Sequence, residues 1–455
     1  MNAPRKCRGA PDDATVRLVY VSGPGGSGVR FLPCKRVVKG FGVSEGVDDA
    51  VSESPHPLTL RLAFYSHDAL GLGHIRRNLA LAGRLIDAGS ARAALLIGGA
   101  REAGALPMPL GVESLTLPAL TKSERGDYRS RSLGLSLPAL LRLRARTIAT
   151  VLDAYAPDVL VVDKHPHGFR GELTPGIRHL CERGGTRLVL GLREVLDDPA
   201  TVRSEWQKTD AAAFVDECYD RVWVYGDPRV YDPVREYALG PGVAAKVRYA
   251  GYLAPRDAAE GRDGAPEAPE LPPGRLVLCM VGGGEDGAAL ADAFVQAPMP
   301  AGMAGLLVTG PCMPVAQREA LRAAAARVPH IRVAGFIPEP QRLLARAERV
   351  VTMGGYNTIC EVLGAGRPAL VVPRERPRVE QLLRAERLAQ RGVVDLLRER
   401  ALSPAAIGDW LARPAPRRPR PADVVDLDGL DRIPAMLEEL LAGSLAAEGA
   451  AYLAA

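Results

Sequence analysis

Short apolar runs alternate with amphipathic segments along most of the chain. The first six runs of strand length are RLAFYS (61–66), AALLIG (93–98), VLVVD (159–163), RLVLGL (187–192), RVWVYG (221–226) and VRYAGY (247–252). Segments with helical spacing of apolar residues lie between most of them, as at 75–89 and 137–155. Apolar strands separated by amphipathic helices are typical of a parallel sheet covered on both faces. The pattern predicts a doubly wound domain over residues 58–252.

The alternation restarts after a polar linker at 253–274, which is rich in Pro, Gly and acidic residues. Further strand-like runs lie at 275–283, 305–310, 331–336, 349–354 and 368–373. They predict a second doubly wound domain over residues 275–412. The expected fold class is therefore α/β, with two Rossmann-like domains that face a cleft. In open α/β sheets, ligands bind beyond the carboxyl ends of the strands.

The two ends of the chain differ from this pattern. Residues 1–57 contain turn formers such as Ser22–Gly28 but no helical period, and no Gly-Lys-Ser/Thr that would complete a phosphate loop. We expect a disordered N-terminal extension there. Residues 413–455 predict a basic, proline-rich linker followed by a C-terminal helix.

Composition narrows the class of protein. The net charge is +5, from 58 basic and 53 acidic residues, which gives no indication of nucleic-acid binding. Seven cysteines are scattered without a CxxC pair, so neither a zinc site nor a disulfide framework is expected. Without a long apolar run or a signal-peptide pattern, a cytoplasmic protein is expected. Leucines and arginines alternate over 133–146, which fits either an ordinary surface helix or peripheral contact with a membrane.

A first candidate site follows the first strand. Gly71 and Gly73 permit a tight turn into a helix, and His74 opens that helix. A histidine there can take a proton from a hydroxyl group or from water, since its pKa is near neutral. It could also simply bond to backbone at the start of the helix. Arg77, one turn on, indicates an anion near this loop.

A second candidate is the glycine run Gly282, Gly283 and Gly284, where a strand passes into a helix. Backbone N–H groups and the helix dipole of such a turn can hold a diphosphate. The spacing matches neither a dinucleotide fingerprint nor a phosphate loop with lysine. An ordinary strand-to-helix turn has the same pattern.

The third candidate covers 350–394 and is the most specific. Gly354 and Gly355 end a strand, and Asn357 or Thr358 is expected to cap the following helix. Glu361 lies on the same helix face as Thr358 and could accept hydrogen bonds from both hydroxyls of a ribose. The Thr-x-x-Glu spacing is equally that of a capping box.

The same stretch offers further polar groups. Glu380 and Gln381 open another helix and are suited to bind sugar hydroxyls. Asp163 and His165 end a strand of the first domain, so we expect them on the acceptor side of the cleft. Arg193 and Glu194 end the next strand and could form an ion pair or contact an acceptor. No residue set completes a metal site, so none is expected.

The stretch 350–394 resembles the C-terminal, donor-binding domain of GT-B glycosyltransferases. The most similar family is that of the peptidoglycan UDP-N-acetylglucosaminyltransferase that forms lipid II, with its glycosyltransferase family 28 C-terminal domain. The two glycine motifs, at 71–74 and 282–284, lie where that family has its glycine-rich loops. The resemblance covers roughly residues 58–400.

The resemblance implies a role for each motif. Glu361 would hold the ribose of a nucleotide-sugar, and Thr358 with the backbone of 282–284 would face its diphosphate. Glu380 and Gln381 would hold the transferred sugar, and Phe336 with Ile337 would flank the nucleobase. His74 would be the base, or lie beside the acceptor. The family's first loop has more glycines and a Pro after the His, whereas this chain has Ala69–His74 followed by Arg76 and Arg77.

The expected activity is metal-independent transfer of a hexose or N-acetylhexosamine from a nucleoside-diphosphate sugar to a hydroxyl, with inversion. The donor is the expected partner, together with a small-molecule, lipid or glycan acceptor. Gly-x-Gly-His-x-x-Arg also resembles the first loop of a nucleotide-sugar hydrolase of the pseudaminic acid pathway, which uses water instead. A non-catalytic nucleotide-sugar binding protein is a third possibility.

Overall fold

A computed structural model of the chain describes residues 60–67, 72–100, 106–122, 127–255, 271, 273–337, 340–414 and 418–454. The predicted disordered extension, Gly71 and most of the predicted linker lie outside these residues.

The strands of the first half are β1 (Arg61–Ser66), β2 (Ala93–Gly98), β3 (Val112–Thr116), β4 (Leu120–Lys122), β5 (Tyr128–Ser130), β6 (Val159–Asp163), β7 (Arg187–Arg193), β8 (Arg221–Tyr225) and β9 (Val247–Tyr249). Seven of them form a parallel sheet in the order β3-β2-β1-β6-β7-β8-β9, whereas β4 and β5 form an antiparallel pair. The strand order reverses between β1 and β6, and ligands bind at such a switch point.

The helices of this half are α1 (Gly73–Asp87), α2 (Leu137–Tyr155), α3 (Thr174–Arg183), α4 (Pro199–Thr209), α5 (Ala211–Cys218), α6 (Pro233–Glu236) and α7 (Pro241–Lys246). A 3-10 turn covers Phe169–Gly171. Side-chain oxygens of Ser136, Asp198 and Asp232 cap α2, α4 and α6. Such caps satisfy N–H groups that have no partner inside the helix.

The second half repeats the architecture. Its strands are β10 (Arg275–Met280), β11 (Met303–Val308), β12 (Ile331–Ala334), β13 (Arg349–Thr352), β14 (Ala369–Val371) and β15 (Asp395–Leu396), all parallel in the order β12-β11-β10-β13-β14-β15. Its helices are α8 (Ala288–Val295), α9 (Val315–Ala325), α10 (Gln341–Arg346), α11 (Tyr356–Ala365), α12 (Glu380–Gln390), α13 (Pro404–Ala412), α14 (Pro421–Val424) and α15 (Gly429–Ala454), with a 3-10 turn at Glu399–Ala401. Here the switch point lies between β10 and β13.

The apolar core explains why these runs form central strands. Residues 62–66 of β1 and 276–280 of β10 are buried throughout, as expected for strands covered by helices on both faces. One core cluster contains residues of both halves and of α15, with Tyr252 and Leu253 between them. Helix α15 itself packs on α1 of the first half.

The predicted fold class is confirmed: the chain forms two Rossmann-like α/β domains with parallel sheets. The domain boundaries themselves stay predictions. Strand β3 was not predicted, because its sequence VESLT is short and mostly exposed at the edge of the sheet. Among the described helices, none combines the length and apolar character needed to span a bilayer.

Candidate functional site

A cavity of about 180 Å³ lies where the two switch points face each other. Residues from both domains line it: Leu72, Gly73, Val281, Gly282, Gly283, Gly284, Glu285, Asp286, Met353, Gly355, Thr358 and Gln381. Seven of these residues were predicted from the sequence to belong to a candidate site. The fold therefore brings the first glycine motif, the second glycine motif and the helix after β13 to one place.

The loop after β10 is built so that its backbone lines this cavity. Gly284 has φ +95°, and a β-carbon there would collide with the carbonyl oxygen of Thr309. Gly283 has nothing within 4 Å of the position that a β-carbon would take. Only glycine adopts such a conformation at Gly284 without strain. The neighbouring residues Gly282 and Gly283 are exposed shortly before the start of α8, where a helix dipole favours an anion.

Helix α11 begins differently from the prediction. Its N-cap is Gly355, and no side chain caps the helix, so the expected cap at Asn357 or Thr358 is wrong. The capping-box interpretation of Glu361 is wrong for the same reason. The helix starts two residues earlier than a cap at Asn357 allows, because Gly355 adopts the extended conformation of the cap. Asn357 instead donates to the carbonyl oxygen of Gly73 across the cleft, over 2.9 Å.

Glu361 is buried and contacts the other domain. Its Oε1 accepts a hydrogen bond from Arg76 Nη2 of α1 over 2.6 Å. Burial raises the pKa of Glu361, and the charge of Arg76 opposes that rise. In this structure the carboxylate that the resemblance assigns to the ribose is thus occupied by an arginine.

Helix α12 places Glu380 and Gln381 at the same edge. Gln381 Oε1 accepts from the backbone N–H groups of Gly354, over 3.1 Å, and of Arg374, over 3.3 Å. Glu380 Oε1 accepts from Arg374 at 2.5 Å, while its buried Oε2 has no hydrogen-bond partner among the described residues. Burial would raise the pKa of Glu380, but the charges of Arg374 and Arg193 lower it. It is therefore an anion with one free oxygen.

Phe336 and Ile337 follow β12 and are half-buried against the core. Neither residue lines the cavity. Their predicted contact with a nucleobase stays a prediction.

His74 on the first-domain side is held by a buried carboxylate. Its Nδ1 lies 3.0 Å from Asp163 Oδ2 and 3.1 Å from Arg77 Nη2, and Arg77 also donates to the same carboxylate oxygen. Burial would raise the pKa of Asp163, but Arg77 and His74 hold it well below its usual value. An ionised Asp163 favours the tautomer with the proton on Nδ1, which leaves the lone pair on Nε2. The sequence motif alone did not pair these residues, which are 89 positions apart.

Two further histidines surround His74. The ring of His67, at the end of β1, lies 5.0 Å from that of His74 and 4.9 Å from that of His165. Burial, reinforced by neighbouring cationic groups, lowers the pKa values of His67 and His165 well below the usual range, so both rings are neutral. Within the part of the chain that the structure describes, no three His, Cys, Asp or Glu side chains form a group that could hold a metal ion. His67 was not predicted, although its place directly after β1 could have indicated it.

A second cavity, of about 250 Å³, opens beside this cluster within the first domain. His165 and Lys164 line it together with Trp206, Leu196 and residues of α4. Burial, and then the charges of Arg193 and Arg378, lower the pKa of Lys164 to about 7.

The loop after β7 joins the two domains. Glu194 does not pair with Arg193; it accepts from Arg384 of α12 at 2.6 Å, with both side chains fully buried. Burial would lower the pKa of Arg384, but Glu194 raises it. Asp197 accepts from Arg378 and from the backbone of Val379. An ion pair between Arg193 and Glu194 is therefore wrong, because Arg384 takes the carboxylate of Glu194.

Known proteins are similar to the second domain in sequence and to most of the chain in fold. Residues 279–421 match the model of the glycosyltransferase family 28 C-terminal domain. A curated relative from Anaplasma marginale (strain St. Maries) is UDP-N-acetylglucosamine--N-acetylmuramyl-(pentapeptide) pyrophosphoryl-undecaprenol N-acetylglucosamine transferase. The two are 33% identical over 81 residues, which are 18% of this chain and 23% of the relative.

Solved structures match over most of the chain. The calicheamicin glycosyltransferase CalG4 has a TM-score of 0.54 and 18% identity, over 84% of this chain and 98% of that one. A Listeria monocytogenes protein provisionally assigned as a UDP-N-acetylglucosamine 2-epimerase has a TM-score of 0.56 and 14% identity, over 85% and 98%. At such identities these likenesses show the fold alone. The chain thus has the GT-B fold, and its second domain is similar to the glycosyltransferase family 28 C-terminal domain.

Proposed function

We propose that this protein is a glycosyltransferase that moves a sugar from a nucleoside-diphosphate sugar to an acceptor hydroxyl. The observation that carries the proposal is the position of His74. Its imidazole is oriented by the buried Asp163, and the adjoining residue Gly73 lines the same cavity as the glycine loop 282–284. A base and an anion-binding loop would then meet between the two domains, which supports the proposal because this reaction requires both.

The donor would bind mainly to the second domain. The backbone of 282–284 and Thr358 would face the diphosphate, and the N-terminal dipoles of α8 and α11 favour an anion there. Glu361 would accept from the ribose hydroxyls after exchanging its bond with Arg76. The free Oε2 of Glu380 would accept from a hydroxyl of the transferred sugar.

The proposed step is a single displacement. His74 Nε2 takes the proton of the acceptor hydroxyl as its oxygen bonds to the anomeric carbon. The bond from that carbon to the diphosphate breaks, and the nucleoside diphosphate leaves with the electron pair. Attack from the face opposite the leaving group inverts the anomeric centre. The loop dipoles stabilise the charge that develops on the diphosphate, so we expect no metal cofactor.

Hydrolysis is the second candidate, because the side chain of His74 is only 17% exposed. Water reaches an enclosed base more easily than the hydroxyl group of a bulky acceptor does. The same base could activate water and release the free sugar. If the donor is consumed as fast without an acceptor as with one, the protein is the hydrolase rather than the transferase.

Membrane contact would involve the start of α2. Leu133, Leu135 and Leu143 are 56%, 38% and 41% exposed, and Arg142 and Arg146 nearby are also exposed. Apolar and basic side chains on one surface suit the interface of an anionic membrane. Such contact would bring a lipid acceptor to the first domain, and cosedimentation with phosphatidylglycerol vesicles would test it.

A thermal-shift screen against UDP, dTDP, GDP, ADP and their sugar conjugates tests the donor site. A ligand that binds only the folded state raises the melting temperature. We expect a shift with one base, lost in Glu361→Ala and kept in His74→Ala. Absence of a shift with every nucleotide would contradict both the transferase and the hydrolase. Nucleotide binding without turnover would instead indicate a non-catalytic binding protein.

A further inference from the structure

Arg77 shares a carboxylate with the proposed base. Its side chain is 2% exposed, and its Nη2 donates to Asp163 Oδ2, the same oxygen that lies 3.0 Å from His74 Nδ1. Arg77 Nη2 and His74 Nδ1 are themselves 3.1 Å apart. The other oxygen of Asp163 is buried and has no hydrogen-bond partner among the described residues. One carboxylate oxygen therefore serves both the arginine and the imidazole.

Two aromatic rings hold the guanidinium of Arg77 in this position. Its carbon lies 5.6 Å from the ring centroid of Tyr356, on α11, and 6.0 Å from that of Tyr225, on β8. Aromatic faces attract a cation at such distances. Burial would lower the pKa of Arg77, but Asp163 and the two tyrosines raise it. Arg77 is therefore a permanent cation, enclosed too deeply to turn away from Asp163.

Other ionisable groups near His74 and Asp163 do not take the place of Arg77. These groups are His67 after β1, Lys164 and His165 after β6, Arg193 after β7, and the pair of Arg76 on α1 with Glu361 on α11. Burial lowers the pKa values of both histidines, so their rings are neutral. Among the described residues, neither Lys164 nor Arg193 has a hydrogen bond or ion pair with the Asp163 carboxylate. Arg77 is thus the cation in contact with this carboxylate.

A buried carboxylate needs a positive partner, because an uncompensated charge in the interior is costly. An opposite charge within about 4–6 Å favours the charged form of a titratable group. Without Arg77, the Asp163 carboxylate would draw a second proton onto His74. A doubly protonated imidazole has no lone pair, so it cannot take a proton from a hydroxyl group or from water. With Arg77 present, Asp163 can orient the ring without protonating it.

We infer that Arg77 is the counter-ion of Asp163 that keeps His74 neutral and able to accept a proton. This inference rests on the proposed function, because it explains how the base of that reaction stays in its reactive form. Arg77 is a positioning residue, since it contacts His74 and Asp163 rather than a substrate. Its role is the same whether the proton comes from an acceptor hydroxyl or from water.

The first experiment measures the pH profile of kcat/KM for donor consumption in Arg77→Gln. His74 would become the counter-ion of Asp163, so the acidic limb of the profile should move to higher pH by about one to three units. At alkaline pH the rate should approach that of the wild type. Arg77→Lys keeps a cation and should move the limb less. Arg84→Gln, which removes an exposed pair with Asp431 from the same helix, is the matched control and should keep the profile of the wild type.

Asp163→Asn tests the same contact from its other side, and it serves if Arg77→Gln does not fold. Removing the carboxylate leaves Arg77 as an unopposed cation beside His74, so the acidic limb should move to lower pH. Nitrogen NMR of the imidazoles in the full chain gives a readout that needs no activity, with the His74 signals assigned by their loss in His74→Ala. At neutral pH we expect a neutral ring in the wild type and a doubly protonated ring in Arg77→Gln.

Three results would overturn the inference. An equal loss of rate at every pH in Arg77→Gln, with the limb unmoved, would leave Arg77 with a structural role alone. A change confined to KM would assign Arg77 to substrate binding. A His74 ring that stays neutral in Arg77→Gln at neutral pH would show that Arg77 does not control its charge. If the wild type neither transfers nor hydrolyses a sugar, the proposed function fails, and the NMR result decides the inference by itself.

Discussion

The two faces of the cleft are built from different groups. On the second-domain face, the glycine loops after β10 and β13 present backbone, and Glu380 beside them has one free carboxylate oxygen. On the first-domain face, the strand ends present side chains: three imidazoles, the Asp163 carboxylate and the cations Arg193 and Lys164. Backbone dipoles can bind a chemical group that many ligands share, such as a diphosphate. Side chains, in contrast, can select one particular substrate and can transfer protons.

This difference predicts that nucleotide binding and the chemical step depend on different faces of the cleft. Changes on the second-domain face should affect affinity for the nucleotide, and changes on the first-domain face should affect turnover and the choice of acceptor. The ion pairs that join the faces, Arg384–Glu194 and Arg76–Glu361, should affect stability and the coupling between them.

The largest effect is expected for His74→Ala. Removing a general base lowers kcat by about 10² to 10⁴, because no other group would take the proton of the acceptor hydroxyl. Nucleotide affinity should not change, since the base does not touch the nucleotide. Initial rates and thermal shifts on one preparation measure both quantities.

His179→Ala is the control for that change. This histidine is exposed on α3, where it pairs with Asp153 over 2.7 Å. It should have the activity of the wild type. A His74→Ala enzyme with unchanged kcat would contradict the assignment of the base and leave the first-domain face without a chemical role.

Next in size is Glu194→Gln, which breaks the buried contact between the domains. The charge of Arg384 would be left in the interior without its counter-ion, which costs about 3–5 kcal/mol for a buried pair. Chemical denaturation should show this loss in the free energy of unfolding. Glu439→Gln removes half of the exposed pair with Arg248 and should cost at most about 1 kcal/mol. Similar losses in the two variants would show that Glu194 does not hold the domains together.

The same contrast explains what could be predicted from the sequence. Strands such as β1 and β10 were predictable, because apolar runs bounded by turns need no information from distant residues. The glycine loop at 282–284 was visible for the same reason, as was the start of α12 at Glu380.

The contacts made by side chains were not predictable. Arg76 lies 285 positions from Glu361, and Arg384 lies 190 from Glu194, so their pairing depends on how the domains meet. The cap of α11 was mispredicted because side-chain propensity favoured Asn357 or Thr358, whereas Gly355 has the conformation that the cap needs.

A smaller effect should come from Gly284→Ala, which tests the backbone-built face. The added methyl group would meet the carbonyl of Thr309 in a left-handed conformation, so the loop must shift. We expect the Kd of the stabilising nucleotide to rise about tenfold, as when a charge-assisted hydrogen bond to the diphosphate is lost. Gly240→Ala, before α7, is the control, because its new methyl group has open space around it and Gly240 does not line the cavity. Equal Kd values for the two variants would mean that the shape of this loop does not matter for binding.

The smallest effect is expected for Arg76→Ala, and its sign is informative. Arg76 occupies the carboxylate of Glu361, so a ribose that binds Glu361 must first displace it. Removing this competitor should tighten binding of the nucleoside diphosphate about two- to tenfold, since a partly exposed ion pair contributes about 1 kcal/mol. Isothermal titration would measure the change, with Arg84→Ala on the same helix as a control that removes only the exposed pair with Asp431. Weaker binding in Arg76→Ala would instead mean that this arginine turns to the diphosphate when the donor enters, and that side chains contribute to both faces of the cleft.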